Sequence, residues 1–186
     1  MGSSNHQLSE AQQKFIQKQH IFFVASAPLH PEGHVNVSPK GLDTFRILSP
    51  SRVAYLDFAG SGNETSAHIL ENQRITILFC SFAKNPMILR LYGKGSVIKP
   101  SQADWDATYA LFNTQVHCRQ LFIIDIHRIQ SSCGYGIPFY EYQGERSTLT
   151  DWIDKKGPEG IDAYIQKNNL QSLDGLPTHL GNEKKG

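Results

Sequence analysis

The chain has 186 residues and 39% hydrophobic composition, enough for one sizeable core, and a single domain over residues 1–186 is expected. A formal net charge of +1 without any lysine/arginine run argues against a nucleic-acid partner, and the longest apolar run, residues 75–80, is too short to cross a bilayer. Three irregularly spaced cysteines fit neither a disulfide framework nor a metal site, and residues 1–20 lack the apolar core of a signal peptide, so a cytoplasmic location is expected.

In chain order, Met1-Gly2-Ser3-Ser4 looks like an expression leader, but no histidine tract follows it. Ser9 and Gln12 then make a capping-box pattern that opens a surface helix over 8–20. Residues 21–27 read as a strand stopped by Pro28. A turn over 29–33 leads into a second strand at 35–40, so the two form a hairpin. A short strand at 45–48 turns through 49–51 into an apolar strand at 52–58. The chain then passes Gly60 and Gly62 into a helix over 65–70 that ends near Asn72. Residues 74–82 are nearly all apolar, as a strand packed on both sides would be. The strand at 88–97 alternates, with Gly93 and Gly95 where it would kink or bulge. After Pro100 a helix capped by Ser101 carries Trp105, Tyr109 and Phe112 on one face. Residues 120–129 form the last long strand. An irregular stretch follows over 131–138, then helices around 147–156 and 158–167, and a frayed end from about Asp174. Strands in hairpin order with few inserted helices indicate a mainly β, antiparallel barrel rather than a doubly wound sheet.

Two stretches concentrate the chemistry. Alternation over 34–41 puts Asn36, Ser38 and Lys40 on one face of a strand, and Pro39 removes a backbone donor where the ladder ends or bulges. The run 57–66 collects hydroxyls, amides and glycine-rich backbone at a helix N-terminus, where the dipole favours an anion. A lysine on one strand end and an anion-binding helix start on the next make a phosphate site. The competing interpretation is a surface lysine beside a plain turn. His34 is placed either to transfer protons or as a surface histidine. Cys133 has no evident base partner and is not expected to be a nucleophile.

The order of 35–41, 57–72, 75–82 and Arg90-Leu91-Tyr92-Gly93-Lys94-Gly95 resembles the pyridoxamine 5′-phosphate oxidase-like FMN-binding split β-barrels over roughly residues 8–152. The resemblance implies a Greek-key-like split barrel with inserted helices and a helical C-terminal tail over 153–186. It also implies a homodimer with FMN at the subunit interface and a small-molecule substrate. The implied cofactor contacts are Asn36, Val37, Ser38, Pro39, Lys40, Asp57, Phe58, Gly60, Ser61, Gly62, Asn63, Thr65 and Arg90, the last reaching the flavin from the neighbouring subunit. His34, Tyr135 and Phe139 are implied to lie near the substrate. Many relatives carry a basic residue where this chain has Thr65, so hydroxyl and backbone donors would replace that charge, with Glu64 turned outward. True oxidases of this name hold their substrate's phosphate with an Arg-x-His pattern. Residues 134–146 offer one arginine, two glutamates and several aromatics instead. The implied activity is a flavin-dependent oxidoreductase acting on something other than pyridoxamine 5′-phosphate. A flavin-storage protein and a haem-binding split barrel are the alternatives.

Overall fold

The computed structural model describes residues 4–180. Eight antiparallel strands form one sheet: β1 (Ser4–Asn5), β2 (Phe22–Ser26), β3 (Asn36–Lys40), β4 (Phe45–Ser49), β5 (Arg52–Asp57), β6 (Arg74–Cys80), β7 (Ile88–Ile98) and β8 (Gln120–Ser132). Their order is β3-β2-β6-β7-β8-β5-β4, with β1 added on β8. The sheet curls into a half-barrel whose free edges are β3 and β4, consecutive in the chain but unpaired with each other. Pro39 is tolerated because β3 is an edge and has one side that needs no ladder donor.

Period-two alternation decides what fills the curl. Phe22 and Val24, Ile75, Ile77 and Phe79, Leu89 and Leu91, Val53 and Tyr55, and Phe122 and Ile124 point inward and are buried. Truncating one of the aromatic members to alanine would cost about 3–5 kcal/mol. The β6 run is nearly all apolar, yet apart from Cys80 at its end only this inner row is buried. Thr76 and Leu78 face outward and stay partly exposed, so the strand is not packed on both sides. A bulge between Tyr92 and Gly93 bends β7 where the glycine was noted. A Cβ at Gly93 would stand 2.8 Å from the Asp125 carbonyl oxygen, so close strand approach explains that glycine.

Four helices pack around the sheet: α1 (Glu10–Ile16), α2 (Glu64–Asn72), α3 (Trp105–Tyr109) and α4 (Thr148–Asn168). The Ser9–Gln12 capping box forms, but α1 is more than a surface helix, because Leu8 and Ile16 are buried in the main core. Gln73 closes α2 in a left-handed conformation with φ 62°. The helix expected after Pro100 is a single short piece that starts at Trp105 and has no side-chain cap, so Ser101 does not cap it. Its aromatics still cover the outer face of β5 and β8 beside Phe112 and Cys118. Gly157, at φ 67°, breaks α4 into the two helices foreseen from the sequence.

Both chain ends depart from expectation. Met1 to Ser3, part of the leader-like stretch, lie outside the described residues, whereas Ser4 and Asn5 pair with β8. The tail is not frayed from Asp174: Ser172 and Thr178 are buried and the segment runs in contact with the body to residue 180. Residues 181–186 lie outside the described residues.

Candidate functional site

The sequence stretches singled out above converge where β3, the end of β5 and the start of α2 meet. Asn36, Ser38 and Lys40 share the inward face of β3, in cross-strand register with Ser26, Val24 and Phe22. The Asn36 amide donates to the Thr65 hydroxyl at 3.0 Å, and the Ser38 hydroxyl donates to Asn36 Oδ1 at 3.2 Å. Lys40 Nζ donates to Asp57 Oδ1 at 2.9 Å. One edge strand is thereby joined to α2 at one end and to β5 at the other.

Asp57 is the hub, and it is 2% exposed. Its second oxygen accepts from Arg119 Nε at 3.1 Å, from Arg119 Nη2 at 2.7 Å and from Gln120 Nε2 at 2.8 Å. Burial alone would raise the pKa of this carboxyl, but Arg119 and then Lys40 outweigh it and hold the group ionised far below the usual carboxylate range. Gln120 also donates to Asn63 Oδ1 at 2.8 Å and accepts from the Ser66 hydroxyl at 3.1 Å. Arg119 Nη1 reaches the Gly62 carbonyl at 2.9 Å and Asn169 Oδ1 at 2.8 Å.

The charge balance of this cluster matters more than any single bond. Two cations share one buried carboxylate, leaving a surplus of one positive charge. Arg119 is 5% exposed, whereas the Lys40 side chain is 26% exposed, so the surplus is accessible at the lysine end. Linked to it through Asp57, Gln120 and Ser66, the start of α2 presents the backbone N–H groups of Glu64, Thr65 and Ser66 without an acceptor among the described residues. Asn63 occupies the N-cap position but makes no cap, because its side chain is spent on Gln120 and Asn169. Among the described residues His68 Nε2 on α2 is a buried polar atom without a partner, and the buried Tyr55 hydroxyl lies against Thr65 without a well-formed hydrogen bond. His68 Nδ1 is 2.9 Å from the Ser26 hydroxyl.

The remaining expected residues are distributed less compactly. Neither Gly60 nor Gly62 has positive φ, so no left-handed turn imposes glycine there. Ser61 is exposed, Phe58 packs half-buried between two apolar clusters, and Glu64 accepts from the Leu173 amide instead of pointing to solvent. Val37 and Pro39 lie on the outer face of β3. Arg90 shares a cross-strand row with Pro39, Phe23 and Leu78, so within one chain it stands on the opposite face from Lys40. It bonds the Ser132 hydroxyl at 3.2 Å. His34 pairs with Asp174 at 2.6 Å. Tyr135 and Phe139, 82% and 76% exposed, sit on the irregular segment after β8 and contribute nothing to the polar cluster of the same chain. Cys133 is exposed, and burial backed by Asp57 pushes the Cys118 thiol up to about 12, so Cys118 stays protonated.

Arg119 and Gln120 were missed from the sequence. The signal was present: they open the apolar strand β8 just as Asp57 closes the apolar strand β5, and antiparallel pairing sets Asp57 opposite Gln120.

A family model described as pyridoxamine 5′-phosphate oxidase matches residues 8–133. The chain belongs to the pyridoxamine 5′-phosphate oxidase family. The pyridoxamine 5′-phosphate oxidase family protein ustO of Aspergillus flavus is 37% identical over 204 residues, covering 96% of this chain and 79% of that protein. Among solved structures, HupZ of Group A Streptococcus aligns with TM-score 0.54 and 20% identity, covering 72% of this chain and 99% of that one. A candidate pyridoxamine 5′-phosphate oxidase from Lactobacillus delbrueckii aligns with TM-score 0.54 and 16% identity, covering 69% and 97% of the two chains. At these identities the structural likeness establishes the shared fold. The family match spans β3, Asp57, α2, Arg119 and Gln120, while Asn169 and the segment after α4 lie outside it.

Proposed function

We propose that the protein binds FMN, with the flavin phosphate at Lys40, Ser38, Thr65 and the first amides of α2, and acts as an oxidoreductase on a small molecule other than pyridoxamine 5′-phosphate. Members of this family commonly bind a flavin. The single observation that carries the phosphate site is the surplus positive charge: two cations on one buried carboxylate, linked through Gln120 and Ser66 to a helix start whose amides have no acceptor among the described residues. A phosphate there would be met by an ammonium group, hydroxyls and backbone donors, the chemistry that lowers the cost of taking an anion from water. These donors fit the group, even without the basic residue many relatives place at Thr65.

When bound, the flavin supplies the electron and hydride chemistry. The chain's own residues would hold the phosphate end, keep Asp57 ionised to orient Lys40, and present a partly apolar outer sheet face. That face carries Phe23, Ala25, Leu78 and Tyr92, half-buried, with Val37 60% exposed beside them. It supports association of a second copy, in which Arg90 would reach the partner's flavin from the face that Lys40 does not share. The exposed Tyr135 and Phe139 would suit a flat or apolar substrate, and Glu141 and Glu145 would repel a phosphorylated one.

The absorbance spectrum of the purified protein after loading with FMN tests the cofactor, and an oxygen-dependent assay with pyridoxamine 5′-phosphate tests the substrate. Flavin bands and no turnover of that substrate are expected. A Soret band, or turnover on the order of 1 s⁻¹, would overturn the cofactor or the substrate assignment respectively.

A further inference from the structure

After α4 the chain folds back on itself as a short hairpin: Gln171 bridges Pro177, and the Ser172 amide donates to the Leu176 carbonyl at 2.9 Å. This strap lies on the 60–64 loop. Asn169 Nδ2 donates to the Gly60 carbonyl at 2.9 Å, and its Oδ1 accepts from Arg119. Its backbone carbonyl accepts from Asn63 Nδ2 at 3.2 Å and from the Thr178 hydroxyl at 2.6 Å. Farther along, the Leu173 amide donates to Glu64, and Asp174 accepts from the His34 amide at 2.8 Å while pairing with the His34 ring. Asn169 and Thr178 are both fully buried. A buried amide that satisfies this many partners is costly to place and holds its neighbours in one arrangement.

The consequence for the loop is directional. The Gly60 carbonyl is held by Asn169 and the Gly62 carbonyl by Arg119, which Asn169 itself orients. The loop's amides, in contrast, donate to nothing among the described residues. With its carbonyls tied to the body, the loop is preset with its donors free.

We propose that Asn169, held in place by the 169–178 strap, is the positioning residue of the phosphate loop, fixing the Gly60 and Gly62 carbonyls so that the loop and α2 amides are preorganised for an anion. The ligand half of this proposal rests on the FMN assignment; the positioning half does not. Preorganisation of this kind raises affinity by removing the ordering cost from the binding step.

The test uses the full chain and two variants. Asn169→Asp keeps the acceptor for Arg119 and removes the donor to Gly60. Thr178→Val removes the hydroxyl behind Asn169 at nearly constant volume and serves if the first variant does not fold. The first readout is the backbone ¹⁵N order parameter of residues 60–63 in flavin-free protein. It is expected near the rigid value of about 0.85 in the parent and toward about 0.6 in the variants, with β6 and β8 unchanged. The second, read on Thr178→Val because that variant changes no charge, is the ratio of FMN to riboflavin affinity, expected to fall about fivefold, the worth of one lost hydrogen bond, with riboflavin affinity unaltered. Order parameters that stay the same, or that fall equally across the sheet, overturn the positioning role. A parent protein that binds both flavins equally overturns the FMN phosphate assignment and the ligand half of this proposal, while the order parameters still decide the positioning half.

Discussion

Replacing Lys40 by alanine isolates the accessible cation of the cluster. In the free protein Lys40 makes one charge-assisted bond, to Asp57 at 2.9 Å, and its side chain is 26% exposed. Contacts of this type to a charged group are worth about 1.5–3 kcal/mol, and partial exposure places this one near the low end. The expected loss of FMN affinity is therefore about tenfold. The fold should survive, because Asp57 keeps both Arg119 bonds and the Gln120 amide. A stability loss of about 1 kcal/mol, or roughly 2–4 °C in Tm, is expected. The assay is fluorescence titration of parent and variant with FMN and with riboflavin at fixed salt. Riboflavin affinity should not change, since it has no phosphate for Lys40 to meet. Unchanged FMN affinity, or an equal loss for the two ligands, would refute the assignment and leave Lys40 as a partner of Asp57 alone.

Arg119→Gln strips the buried hub of its strongest partner and leaves Asp57 with Lys40 and Gln120; a loss of about 3–5 kcal/mol in chemical denaturation is expected, and a loss below about 1 kcal/mol would show that the hub is dispensable. Burial lowers the pKa of His68 against the opposing pull of Glu64, Asp174 and Glu71, so the folded state keeps it neutral where the unfolded chain is already protonated. Its contribution to stability is present above about pH 6.5 and is lost as pH falls below that value, with a slope of up to about 1.4 kcal/mol per pH unit; His68→Gln should flatten this slope in denaturation series from pH 7 to 5, and an unaltered slope would contradict it. Light scattering of FMN-loaded protein should give twice the chain mass, and a monomer that retains FMN would exclude a site shared between subunits.

Strand placement was legible from the sequence because period-two patterning and turn residues mark these short strands plainly. The β2–β3 hairpin, the glycine bend in β7 and the break in α4 at Gly157 all carry local signals. What escaped depends on distance along the chain. Arg119 acquires its role only when β8 pairs with β5, and Asn169 only when the strap returns to a loop more than a hundred residues earlier. The end of the chain, with Asp174, Gly175 and Pro177 close together, resembles a frayed end, and it is ordered because Leu173 and Asp174 find partners across the fold and Leu180 packs on the body. The apolar β6 run misled in the other direction, since its outer row is partly exposed in a single chain. In the site, Lys40, Ser38, Asn36 and Thr65 were visible as a cluster from strand alternation and helix-start chemistry. Their charge balance was not, because half of it comes from Arg119.

The most direct test is a paired titration of the unmodified protein with FMN and riboflavin. A phosphate held by Lys40, Ser38, Thr65 and the α2 amides predicts FMN binding tighter by at least about tenfold, with the difference shrinking as salt rises. Equal affinity for the two flavins, at any salt concentration, would contradict the phosphate site.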